Sequence, residues 1–125
     1  MSQYLALDIG RRRTGVAIGD PGLGIPFPYP TIVHSSARDL VTQVLTLVST
    51  HDISSVFVGL PLLPSGHEGA QVLFVHRCAH LLAKAGIPVQ FIDERYSSRG
   101  HSGDDNAQSA CTILSIAFAR FGANK

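Results

Sequence analysis

Tyr4-Leu-Ala-Leu-Asp8-Ile-Gly10-Arg-Arg-Arg13-Thr-Gly15-Val-Ala-Ile-Gly19-Asp20 reads as an apolar strand, a reversal rich in glycine and arginine, and a second apolar strand. Gly10 and Gly15 are expected to permit the sharp turn of a hairpin. Asp8 stands between Leu7 and Ile9, so on a strand it interrupts a buried run. A carboxylate avoids such a place unless something cationic compensates it. Arg11, Arg12 and Arg13 follow on the turn, where guanidinium groups can hold a phosphate backbone. A carboxylate suited to a metal beside an arginine cluster points to phosphodiester chemistry. The plainer reading is an Asp neutralised by Arg within the hairpin.

Outward from this hairpin, strands are expected over 4–8 and 14–19. Residues 20–30 are rich in proline and glycine and read as an extended loop, followed by a short third strand over 31–34. Ser35 or Ser36 is placed to cap a helix reaching Thr50, with Leu40, Val41, Val44, Leu45, Leu47 and Val48 as its apolar stripe. Residues 55–59 are brief and apolar, as in a central parallel strand. A second helix over 69–85 is closed by Gly86, and a strand over 88–92 leads into Asp93-Glu94-Arg95. A polar stretch over 97–105 connects to a last helix carrying Ala110, Ile113, Leu114, Ala117, Phe118 and Phe121 on one face. The order β-β-β-α-β-α-β-α predicts an α/β fold, a mixed sheet covered on both faces by helices. That is the layout of the ribonuclease H-like fold, with the first strand central. No repeat or internal boundary interrupts residues 1–125, so a single domain is expected.

Hydrophobic residues form 45% of the chain and charged residues 15%, which argues against disorder. The formal net charge of +1 excludes a uniformly basic surface. Eight of the 10 cationic residues are arginine, and three of those are adjacent, so any nucleic-acid contact is a local patch. Cys78 and Cys111 lack C-x-x-C spacing, which argues against a zinc ribbon or redox dithiol and fits reduced, buried thiols. The chain begins directly on a strand pattern, and no apolar run approaches the ~20 residues of a membrane helix. A cytoplasmic protein without membrane contact is expected.

Three acidic sites fall at related places. Asp8 lies in the first strand, Asp93-Glu94 ends the last strand, and Asp104-Asp105 opens the last helix. Carboxylates are the preferred ligands of Mg²⁺ and Mn²⁺, and a pair of such ions can activate water and stabilise the leaving oxygen of a phosphodiester. Each acid also has a bland reading. Asp104 and Asp105 suit a helix start, and Glu94 with Arg95 suits a structural ion pair. Their joint occurrence is the signal.

The chain resembles the YqgF/RuvX family of Holliday junction resolvases and nucleases maturing the 5′ end of pre-16S ribosomal RNA. Four segments carry the resemblance: Leu7-Asp8-Ile-Gly10-Arg-Arg-Arg13-Thr-Gly15, Val58-Gly59-Leu60-Pro61 with Gly66-His67-Glu68-Gly69, Asp93-Glu94-Arg95-Tyr96-Ser97-Ser98, and Ser109-Ala110-Cys111-Thr112-Ile113-Leu114. The resemblance implies a metal-dependent endonuclease in which Asp8 and Glu94 bind Mg²⁺ or Mn²⁺. The family's third carboxylate aligns with Asn106, and Asp105 stands one position earlier. Either Asp105 takes the role from a first helical turn, or Asn106 is a neutral, weaker ligand and the chain is a binding module with impaired cleavage. Asp105 is the preferred reading. Arg12, Arg13 and Arg95 would hold phosphates of structured RNA or branched DNA, and matched cuts in a junction would call for a homodimer.

Other residues have weaker chemical readings. His76 and His80 have the spacing of a metal pair but no third ligand nearby in sequence, which fits an exposed helix face. His101 sits in a polar loop near the acids and could move a proton or touch phosphate. Ser97 and Ser98 lack an evident base. The loop 65–69 precedes a helix whose free N–H groups could receive a phosphate. An actin-like phosphotransferase opens with a similar Asp-x-Gly hairpin, but a chain of this length lacks the second lobe needed to enclose nucleotide.

Overall fold

In the computed structural model, which describes residues 2–60, 70–93 and 106–122, the first hairpin forms the middle of the sheet. Strand β1 (Gln3–Ile9) runs antiparallel to β2 (Arg13–Gly19), with Leu7 opposite Val16 and Asp8 opposite Gly15. Strand β3 (Phe27–Val33) pairs with the outer side of β2. On the other side, β4 (Ile53–Leu60) is parallel to β1, and β5 (Val89–Asp93) is parallel to β4. The order β3-β2-β1-β4-β5 is therefore the expected mixed sheet with the first strand central.

Two local expectations need correction. Gly15 lies within β2 opposite Asp8, so the reversal rests on Gly10. The Gly10 N–H donates to the Arg13 carbonyl at 2.9 Å, and a Cβ at Gly10 would meet that oxygen at 2.6 Å. A side chain there would force the turn open. The third strand is also longer than expected, because it begins at Phe27 and includes Pro28 and Pro30. β3 ends the sheet, and proline is tolerated on an edge strand that need not pair on both sides.

Strand alternation divides the core. Leu5, Leu7, Ile9, Val16, Ile18, Val56 and Val58 pack with Leu40 and Val44 of α1 (Ala37–Thr50) and Val75 and Leu82 of α2 (Ala70–Lys84). On the opposite face, Ala6, Ala17, Phe57 and Ile92 meet Ala110, Ile113, Leu114 and Ala117 of α3 (Asn106–Phe121). Tyr4 closes the far end of that layer by donating its hydroxyl to the Phe121 carbonyl at 2.8 Å.

The helix ends follow sequence chemistry. Ser36 is the cap of α1: its hydroxyl accepts the Asp39 N–H at 3.0 Å, while Asp39 accepts the Ser35 N–H at 2.9 Å. The Ser35 N–H and then the Gln43 side-chain amide, both donating to it, hold the Asp39 carboxyl below the usual range, as suits an acid in a first helical turn. Helix α2 ends as expected at Gly86, whose φ of 91° is open to glycine. The Gly86 N–H reaches the Ala83 carbonyl and the Ile87 N–H the Leu82 carbonyl, a paired closure that satisfies two terminal oxygens.

Candidate metal and nucleic-acid site

Asp8 is the last residue but one of β1 and alternates with Ala6, so it lies on the α3 face. Its partner across the ladder is Gly15, which offers no side chain to fill the space beside it. Helix α3 opens at Asn106, and Ser109 hydrogen-bonds the Asp8 side chain. Burial pushes the Asp8 carboxyl above its usual range, and the Ser109 bond offsets part of that rise. Among the described residues no arginine acts on it, so the reading of an Asp neutralised by Arg within the hairpin is not what they form. A carboxylate is a hard oxygen ligand suited to a divalent cation such as Mg²⁺ or Mn²⁺, and a bound cation would favour the charged form that burial disfavours.

Glu94, Arg95, Ser97, Ser98, His101, Asp104, Asp105 and the loop 65–69 lie outside the described residues, as does the side chain of Asn106. Their chain neighbours are described. β5 ends at Asp93, in register with Leu60 of β4. β4 separates β5 from β1, and α3 begins one residue after Asp105. Among the described residues no group of three or more His, Cys, Asp or Glu comes together.

The arginine turn spans the end of the sheet. Arg13 opens β2 and alternates onto the α3 face, the side of Asp8. Arg11 and Arg12 instead line an open cleft of about 490 Å³ with Ser35 and Phe74, at the junction of the hairpin, α1 and α2. All three arginines are exposed. The structure thus brings Arg13 to the face of Asp8 and carries Arg12 around the end of the sheet.

A buried polar network, missed in the sequence reading, fixes this turn. Thr14 Oγ1 and His34 Nε2 are 2.8 Å apart, and both residues are buried. The His34 backbone N–H donates to the Arg12 carbonyl at 2.9 Å, and the His34 ring stacks on Phe74 at 5.9 Å. From α2, Gln71 Nε2 donates to the Ile9 carbonyl at 3.1 Å. Burial lowers the His34 pKa below 6.5 and keeps the ring neutral at neutral pH. Thr14 carried the one usable signal, a hydroxyl at the head of an apolar strand; nothing in the sequence marked its partner.

The remaining candidates lie away from Asp8. His76 and His80 are exposed on α2, and the His76 ring packs on Phe91 of β5 at 5.2 Å. Cys78 is buried, and burial pushes its thiol up to about 11, which leaves it unreactive. Among the described residues no helix is long and apolar enough to cross a membrane.

The comparisons with known proteins bear on the fold and the family. Thermus thermophilus RuvC in complex with a Holliday junction substrate superposes with a TM-score of 0.67 at 14% identity, covering 96% of this chain and 95% of that one. The fold is therefore ribonuclease H-like. A Chloroflexus aurantiacus protein named "Putative pre-16S rRNA nuclease" is 42% identical over 95 residues, 75% of this chain and 62% of that relative's length. A protein of the same name from Anaeromyxobacter sp. is 34% identical over 127 aligned positions, covering 90% of this chain and 93% of the relative. The family model described as RuvX, Holliday junction resolvase, matches residues 2–109, and the chain belongs to that family.

Proposed function

We propose that residues 1–125 act as one metal-dependent endonuclease domain in the cytoplasm, hydrolysing phosphodiesters of structured nucleic acid. The observation that carries this reading is Asp8: a carboxylate desolvated at the end of the central strand, beside the first turns of α3, with no cation compensating it among the described residues. Glu94, the next residue in sequence after β5, and Asp105, the residue before α3, complete the ligand set in this reading. Mg²⁺ or Mn²⁺ held by these acids supplies positive charge for phosphodiester hydrolysis. Arg13 holds a phosphate on the Asp8 face, Arg12 holds a neighbouring one around the end of the sheet, and Arg95 adds a third contact.

Two substrates fit the relatives. Several are named as pre-16S rRNA nucleases, and the RuvC structure holds a Holliday junction. A precursor RNA requires one site, whereas a junction requires two related by symmetry and therefore a homodimer. The deciding assay incubates a labelled RNA bearing the precursor 5′ extension and a four-way DNA junction with Mn²⁺, using the chain and its Asp8→Asn variant. Cleavage of either substrate that disappears in the variant is expected and names the substrate. Binding of both without cleavage, unchanged by the substitution, would leave a binding module, the reading that Asn106 at the third acid position supports.

A further inference from the structure

We infer that the cleft between the arginine turn and Phe74 is a second binding site, which takes one unpaired nucleotide of the substrate: phosphate on Arg11 and Arg12, base on Phe74. The inference rests on the nucleic-acid reading proposed above and extends it to the face of the sheet opposite Asp8. The cleft holds about 490 Å³, within the roughly 300–1,000 Å³ of small-ligand sites. Its walls come from three places: Arg11 and Arg12 from the turn, Ser35 from just before the α1 cap, and Phe74 from α2. Both arginines are exposed, and among the described residues neither is paired with a carboxylate. Guanidinium groups beside an aromatic ring suit a single-stranded nucleotide, because the cations hold the backbone and the ring stacks any base. Duplex bases are stacked on one another and cannot reach Phe74, so the site selects single strands.

His34 braces two of these walls. Its backbone N–H donates to the Arg12 carbonyl at 2.9 Å, and its ring stacks on Phe74 with the planes 10° apart. The ring is itself anchored on Thr14 Oγ1 at 2.8 Å. One buried residue thus sets the Arg12 backbone and backs the aromatic ring, which spares a ligand part of the cost of ordering them. Ser35 orients the ligand. Its N–H and its hydroxyl are both committed to the Asp39 carboxylate, at 2.9 Å and 3.3 Å. That wall offers no free donor and carries a negative charge beside it, so the phosphate belongs at the arginines.

The test is fluorescence anisotropy of labelled single-stranded RNA and DNA oligonucleotides, with the duplex of the same sequence alongside and chelator present. The full chain is compared with its Arg11→Gln and Phe74→Leu variants over a series of salt concentrations. Arg11 is exposed, and leucine keeps an apolar contact for His34, so both variants are expected to fold, which far-ultraviolet circular dichroism checks. Arg11→Gln is expected to flatten the slope of log affinity against log salt by about 0.7, the share of one phosphate contact on a single strand. Phe74→Leu is expected to weaken single strands roughly 10-fold at unchanged salt slope, and to leave an oligonucleotide of abasic residues unaffected. Of RNA and DNA, the tighter binder names the strand that occupies the cleft. Unchanged single-strand affinity and slope in both variants overturns the cleft and leaves nucleic-acid binding elsewhere on the chain. Equal weakening of single strand, duplex and abasic strand by Phe74→Leu overturns the stacking role. No binding of any of these by the full chain overturns the nucleic-acid reading itself, and this inference with it.

Discussion

On one face of the central hairpin the inward side chains are Leu5, Leu7, Ile9, Val16 and Ile18; on the other, the positions between them are Ala6, Asp8, Gly15 and Ala17. The first set meets two helices, α1 and α2, through branched aliphatic contacts. The second meets one helix, α3, which presents Ala110 and Ala117 in return. Large interdigitating side chains hold most of the apolar burial, at roughly 1.5–3 kcal/mol for each one fully buried. Small ones contribute less area but let a helix approach closely. The α3 face therefore places Ser109 in reach of Asp8, and the cost is a desolvated carboxylate. In the proposed function, stability and chemistry are divided between the faces of one sheet.

Substitutions that exchange these properties should separate the two roles. Leu7→Ala opens a cavity on the α1/α2 face and is expected to destabilise the fold by about 2–5 kcal/mol in urea titration. Mn²⁺ affinity of the folded fraction should stay within about 3-fold, because the removed side chain points away from Asp8. Ala17→Leu overpacks the α3 face, at about 1–3 kcal/mol. Although the smaller insult to stability, it should displace α3 and weaken Mn²⁺ more than Leu7→Ala does. The reverse ranking would show that the faces are not specialised.

The smallest effect concerns Asp8 alone, with chelator present. Its carboxyl is raised above the ordinary 3.8, so the charged form is disfavoured in the folded chain. Stability from this group is present below that ordinary value and is lost as pH rises through the raised one. Thermal unfolding of Asp8→Asn should match the unaltered chain at the acid end and exceed it increasingly as pH rises toward neutrality. Saturating Mn²⁺ should reverse the difference by stabilising only the chain that retains the carboxylate.

Legibility in the sequence followed the range of each interaction. The hairpin, the Ser36 cap and the Gly86 closure depend on residues a few positions apart, so local patterns disclosed them. The sequence marked Asp8 as the polar interruption of a buried strand. It could not show that the Asp8 side is the sparse one under α3, which depends on where a helix about a hundred residues later comes to rest. The prolines at 28 and 30 read as loop because tolerance of proline depends on being at the sheet edge, a property of topology. Likewise, adjacency of Arg11, Arg12 and Arg13 implied one patch, whereas the turn distributes them to two sides. His34 joined the account only once β3 was in register beside β2.

The central claim is that the α3 face holds the cation. Mn²⁺ titrated into an isotope-labelled chain broadens amide NMR signals steeply with proximity, so it reports the position of the ion without a nucleic-acid substrate. The account predicts the strongest broadening at Asp8, Gly15 and Ser109, with weaker effects at Phe74 and at His76 and His80. Broadening strongest at His76 and His80, or spread without a centre, would contradict it.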